Sequence, residues 1–93
     1  MSYSKLKLRI KKNEGYSDRP YQDQLGFYTI GYGHLITKKE NKYYIKKFKK
    51  KHFEKLFEID FKKAQYQYKK NFSKKNHTIS DKELLIEMLF QLG

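Results

Sequence analysis

The sequence predicts an α+β fold, on three observations. Apolar residues recur at three- and four-residue steps from Phe53 to Tyr68, the pattern of a long amphipathic helix. Ahead of it, strand formers from Tyr21 to Tyr32 are punctuated by Gly26, Gly31 and Gly33, which marks a small twisted hairpin or three-stranded sheet. Near the end of the sequence a capping pattern, Ser80-Asp81-Lys82-Glu83, opens a strongly apolar helix.

Taken in order, the first element is a short helix from about Ser4 to Asn13. Leu6 and Ile10 stand four apart, Ser2 or Ser4 is available as a cap, and Gly15 suits the helix end. This places Glu14 at the last turn. The hairpin follows, with Gly26 in the turn between Gln22 and Phe27. The Lys-dense stretch from Thr37 to Lys51 offers a modest helical face through Tyr44, Ile45 and Phe48. The long helix then carries Phe53, Leu56, Phe57, Asp60, Phe61, Ala64 and Tyr68 on one side, until the polar run Asn71–His77 breaks it. In the last helix Met88, Leu89 and Leu92 are read as core, and Gly93 suits its C-cap. No repeat or linker divides the chain, so 1–93 is expected to be a single domain, with a hairpin lobe at about 14–52 and connecting and core helices at about 53–93.

Composition narrows the class. At 93 residues, 38% hydrophobic and 17% aromatic, the chain has the means for one small core and is too apolar for a disordered tail. Without cysteine it has neither disulfides nor thiolate metal ligands to supplement that core. The net charge of +12, from 22 basic and 10 acidic residues, attracts polyanions. Yet Arg9 and Arg19 are the only arginines, and Lys, Asn, Ile, Tyr and Phe abound, the usage of A- and T-rich codons. A dedicated nucleic-acid reader favours the planar fork of arginine. A basic nucleic-acid-binding module therefore stays open as a minor reading, and specific nucleic-acid recognition is not expected.

The chemistry concentrates in NEGYSDRPYQDQLGFYTIGYGH, where Glu14, Asp23 and Thr29 are separated by eight and five residues. Cleaving a glycosidic bond needs one group to protonate the leaving oxygen and another to activate water or stabilise an oxocarbenium-like centre. Two carboxyl groups suit both tasks when their environments differ. Glu14, beside an apolar helix face, is the better acid. Asp23, between Gln22 and Gln24 on a polar hairpin, is the one expected to stay ionised, and Thr29 across the turn has a hydroxyl to hold water. A glutamate after a helix and an aspartate in a turn are also ordinary surface residues, so spacing alone leaves a solvated-surface reading open. His34 is read as structural, paired with Asp60 on the long helix. No cysteine or second histidine stands at metal spacing from it, so no metal is expected. His52 and His77 are read as solvated. Tyr28 and Tyr32 are read as packing the hairpin on a helix, with sugar stacking as the alternative.

The segment NEGYSDRPYQDQLGFYTIGYGHLIT resembles the catalytic signature of phage-type lysozymes, glycoside hydrolase family 24, in the form found in T-even bacteriophages. The spacing of Glu14, Asp23 and Thr29 is met without a gap, and Gly31-Tyr32-Gly33-His34 supplies the GxGH that follows. Further on, FEKLFEID is similar to the start of the family's long connecting helix and LLIEMLFQLG to its central buried helix. The resemblance implies a lysozyme-like fold and a muramidase that cuts the β-1,4 bond between N-acetylmuramic acid and N-acetylglucosamine in peptidoglycan, with inversion and without a cofactor. It implies Glu14 as general acid, Asp23 as second carboxylate and Thr29 as the residue positioning the attacking water. Leu35, Phe90 and Gln91 fall on or beside positions that line the saccharide cleft.

Family members continue past the position of Gly93, so the resemblance implies a chain cut within its second lobe, through a truncated or split gene or a separate partner chain. The face of Leu84, Leu85, Met88, Leu89, Phe90 and Leu92 would then be covered by a second chain or by self-association over residues 81–92. An inactive remnant that binds cell wall or a partner is the alternative function. The N-terminus lacks the apolar stretch of a secretory signal, and no apolar run is long enough to span a bilayer. The expectation is a protein of the producing cell's cytoplasm that reaches the wall after release, without membrane insertion.

Overall fold

The computed structural model describes residues 3–72 and 77–92. The order is α1 (Ser4–Glu14), β1 (Ser17–Gln22), β2 (Tyr28–Gly31), β3 (His34–Leu35), α2 (Lys42–Ile45), α3 (Lys50–Phe72) and α4 (Ile79–Gln91). This is the α+β arrangement expected: a helix, a three-stranded antiparallel sheet ordered β1-β2-β3, a long helix and a further helix.

α1 buries Leu6 and Ile10, one turn apart, against α3 and α4, and exposes Leu8. Its N-cap is Tyr3, which makes no side-chain capping bond, so Ser4 is the first helical residue and not the cap. Ser2 lies outside the described residues. At the other end the Gly15 N–H reaches Lys11 O at 2.9 Å. Gly15 has φ 74° and ψ −175°, a backbone region open essentially to glycine alone, so the chain leaves the helix sharply into the hairpin.

The β1–β2 pairing is irregular. Ser17 faces Gly31 and Tyr21 faces Thr29, so β1 bulges between Ser17 and Tyr21. Pro20 sits in the bulge, where a missing N–H costs no ladder bond. The Ser17 hydroxyl donates to Arg19 O at 2.7 Å and accepts from Arg19 N at 3.2 Å, satisfying the displaced backbone.

α3 is the spine. Phe53, Phe57, Phe61, Ala64 and Tyr68 form its buried stripe, as the periodicity predicts. The stripe serves two clusters. One joins Phe57, Phe61, Ala64 and Tyr68 to Leu6 and Ile10 of α1 and to Ile86 and Phe90 of α4. The other joins Phe53 to Ile30 of the sheet and Tyr43 of α2. Each large side chain withdrawn completely from water here stabilises the fold by about 1.5–3 kcal/mol. α3 ends at Phe72, and the polar segment expected to break it lies largely outside the described residues.

Several expectations need correction. In the Lys-dense stretch α2 is a single turn whose buried residue is Tyr43, while Tyr44 and Ile45 are exposed. One turn of helix over a sheet edge buries one ring, and Tyr43 OH bonds to His52 Nε2 at 2.7 Å, so His52 packs with this cluster instead of lying in solvent. The cap of the last helix lies two residues before the expected one: Thr78 is the N-cap, its hydroxyl accepting from Asp81 N at 3.1 Å. The buried face of α4 is Ile86, Glu87 and Phe90, with Leu84, Met88 and Leu92 exposed. In a helix apolar on most sides periodicity does not choose the face; the partners α1 and α3 do. The Gly93 cap lies outside the described residues.

Candidate functional site

Glu14 is the last residue of α1, and α1 is fastened on two sides. Lys7 pairs with Glu58 at 2.7 Å and Lys11 with Glu54 at 2.6 Å, both on α3. Arg9 pairs with Glu87 on α4 at 2.9 Å, and Asn13 Nδ2 donates to the same carboxylate at 3.1 Å. Glu54 also accepts from Tyr32 OH at 2.6 Å, which ties the hairpin to the same helices; burial first, and then this hydrogen bond, push the Tyr32 phenol up to about 12.

The Glu14 side chain lies against the backbone of Gly33. A Cβ there would stand 2.8 Å from the Glu14 Cδ, and Gly33 has φ +77°, so glycine is required twice over. Burial raises the Glu14 pKa above the ordinary glutamate value, and the negative charges of Glu87 and Asp23 raise it further. Among the described residues no cation lies within ion-pair reach of Glu14.

Asp23 opens the turn between β1 and β2. Its Oδ1 accepts from Leu25 N and Phe27 N, each at 2.9 Å, while its N–H reaches Phe27 O at 2.9 Å and its carbonyl accepts from Gly26 N at 3.0 Å. A short side chain that captures the turn's own amides is the usual reason for aspartate in such a place. Here it also fixes where the carboxylate sits.

The two carboxylates share a hollow of about 490 Å³, lined with them by Tyr21, Gln22, Gln24, Leu25 and Gln91. The hollow joins the end of α1, the first hairpin turn and the end of α4. Burial, Glu14 and Asp23 together hold the Tyr21 phenol above its ordinary pKa. Thr29 does not line the hollow. It is buried in β2, faces Tyr21 and not Asp23, and donates its hydroxyl to Phe27 O at 3.1 Å. Residues 23–27 close the turn, which moves Asp23 beyond the strand pair that holds Thr29.

Leu35 and Phe90 line a second, more apolar hollow of about 650 Å³, with His34, Ile59, Asp60, Tyr66 and Leu89 among its walls. Gly33 also lines it, so the Glu14 carboxyl lies against the backbone that separates the two hollows. Gln91 thus belongs with the carboxylates, and Leu35 and Phe90 with the neighbouring apolar wall.

His34 bonds through Nδ1 to Asp60 Oδ2 at 2.8 Å and through Nε2 to Glu40 at 3.0 Å. An imidazolium donates from both nitrogens and satisfies both carboxylates at once. Burial opposes that charge, but hydrogen bonds and attraction from Asp60 and Glu40 outweigh it, and the His34 pKa stands above its ordinary value. Burial likewise resists charge on Glu40, yet the amide and hydroxyl of Thr37 and the His34 ring hold its pKa below the usual value. The group ties β3 to α3 and to the loop before α2. Among the described residues no three His, Asp or Glu side chains converge as a metal site.

The residues that the sequence reading passed over are Glu87, Tyr21 and Glu40. Glu87 carried a signal: it is the one charge in the apolar run Leu84–Leu92. Tyr21 and Glu40 carried none, because their roles depend on what the hairpin and loop bring beside them. No curated protein matches the chain. A family model described as phage lysozyme matches residues 11–93.

Proposed function

Because the chain belongs to the phage lysozyme family, we propose that it hydrolyses peptidoglycan at the β-1,4 bond between N-acetylmuramic acid and N-acetylglucosamine, with Glu14 as general acid. The observation that carries this reading is the shared hollow, in which Glu14 and Asp23 face one space and burial with like charge favours the proton on Glu14.

In this reading the sugar chain lies along both hollows, with Gln91 meeting its polar edge and Leu35 and Phe90 its apolar faces. Glu14 gives its proton to the glycosidic oxygen as the bond to the anomeric carbon breaks. Water attacks that carbon from the opposite side, and Asp23 takes the proton the water loses, so the anomeric configuration inverts. Thr29 lies outside the hollow with its hydroxyl on Phe27 O, so in this reading it steadies the turn that carries Asp23 and does not hold the water. In this reading the substrate and the inversion are those of family 24 enzymes. The net charge of +12 draws the protein to an anionic wall.

The deciding experiment is a turbidity assay on purified cell walls with wild type and Glu14→Gln, each checked for folding by circular dichroism. Wild type is expected to clear the walls, and the substitution to lower the rate by about 10²–10⁴-fold, the usual contribution of a general acid. Folded proteins that are equally inactive would sink the enzyme reading.

A further inference from the structure

Glu87 is buried to 8% exposure, deep for a carboxylate, in the middle of an otherwise apolar stretch. It is held entirely from α1: Arg9 donates to Oε1 through Nε at 3.1 Å and Nη2 at 2.9 Å, and Asn13 donates to Oε2 at 3.1 Å. Withdrawing a carboxylate from water is costly, and well-packed apolar side chains join two helices as firmly or more so. Helix docking alone therefore gives little reason for an ion at this place.

Its surroundings give one. Asn13, which grips one oxygen, is the chain neighbour of Glu14. Gln91, one helical turn on from Glu87, lines the hollow that holds Glu14. Arg9 stands against Glu87, and among the described residues no cation pairs with Glu14. A negative charge beside a carboxyl group disfavours the ionisation of that carboxyl. We infer that Glu87 is a positioning residue for the reaction proposed above: clamped by Arg9 and Asn13, its fixed negative charge keeps the proton on Glu14 and its hydrogen bonds hold the end of α1 at the hollow. The inference rests on the reading of Glu14 as general acid.

The other groups around Glu14 fit this division. From the hairpin, Asp23 and Tyr21 face the same hollow, and neither carries positive charge. Lys11 on α1 is committed to Glu54 on α3. Burial first, then the Glu87 and Asp23 charges, act on Glu14 in the same direction.

The test compares wild type with Glu87→Gln, which removes the charge and keeps the shape. Two quantities are read: the titration midpoint of the Glu14 carboxyl by ¹³C NMR, and the alkaline limb of the pH profile for wall lysis. Both are expected to move down in the variant, so that lysis matches wild type at low pH and falls progressively behind as pH rises. A loss equal at every pH, with the Glu14 midpoint unmoved, overturns the inference and leaves Glu87 a purely structural tie. If Glu87→Gln does not fold, Glu87→Ser makes the same change of charge and admits water to Arg9 and Asn13, with the same expected shifts. The wild type alone also decides: a Glu14 midpoint at or below the ordinary glutamate value overturns the inference without any variant. Should Glu14→Gln lyse walls as well as wild type, the general-acid reading fails, and this inference about the reaction fails with it. An unmoved midpoint beside a Glu14→Gln variant that has lost lysis instead removes the role of Glu87 and spares that of Glu14.

Discussion

Glu14 and His34 are each defined by what stands within a few ångströms, and each makes a measurable claim. A side chain at Gly33 would meet the Glu14 carboxyl and would have to adopt φ +77°. Gly33→Ala is therefore expected to destabilise the protein by about 1–3 kcal/mol, with lysis reduced beyond the loss of folded protein; urea unfolding and the wall assay separate the two. His34 makes a claim about pH. Its folded pKa is raised, so the protonated ring contributes stability that is complete below the unfolded value near 6.5 and is lost as pH rises through the folded one. Glu40 runs the other way: its pKa is lowered, so its contribution is present above the unfolded value of 4.5 and lost as pH falls through the folded one. In urea unfolding at several pH values, the advantage of wild type over His34→Gln is expected to shrink above neutrality. An advantage that grows with pH would contradict the paired imidazolium. At this scale the sequence marked Glu14, Asp23, His34 and Asp60 by residue type and spacing. It did not mark the Glu87 clamp, because Arg9 and Asn13 reach it from 78 and 74 positions away.

The elements were legible where one periodicity had one partner. α3 carries its stripe from Phe53 to Tyr68 because a helix with charged residues on its other sides has only one way to face a core. α4 was harder, since two overlapping segments, Thr78–Asp81 and Ser80–Glu83, each have the residue types of a capped start. The hydroxyl that caps is that of Thr78. Thr78→Ala is therefore expected to cost about 1 kcal/mol, and Ser80→Ala, exposed in the first turn, less than about 0.5 kcal/mol. Thermal unfolding of the two variants decides between the starts, and the reverse ranking would restore Ser80. α2 shows a different limit. Tyr43, Tyr44 and Ile45 have similar apolar character, and only the position of His52, Phe48 and Phe53 selects Tyr43 for burial.

Across the whole molecule the acids are few, and half of the ten are engaged in ion pairs among the described residues. Glu54, Glu58 and Glu87 fasten α1, and Glu40 and Asp60 hold His34, so much of the lysine charge faces outward. Long-range attraction of this kind is screened by salt, with a Debye length of about 10 Å at 0.1 M. Co-sedimentation with anionic cell walls is expected to weaken steeply between low and high salt for Glu14→Gln, which retains the surface charge; binding that ignores salt would leave charge no part in adsorption. The sequence by itself determined the α+β class, the order of the elements, the stripe of α3 and the net charge, because each follows from local pattern or from composition. The tertiary structure alone decided which face of α4 is buried, that Thr29 stands opposite Tyr21, that Glu14 shares a hollow with Asp23 and Gln91, and that Arg9 and Asn13 clamp Glu87. Those relations join residues distant along the chain, and they exist only once α1 and α4 have packed on α3 and the hairpin has closed beside them.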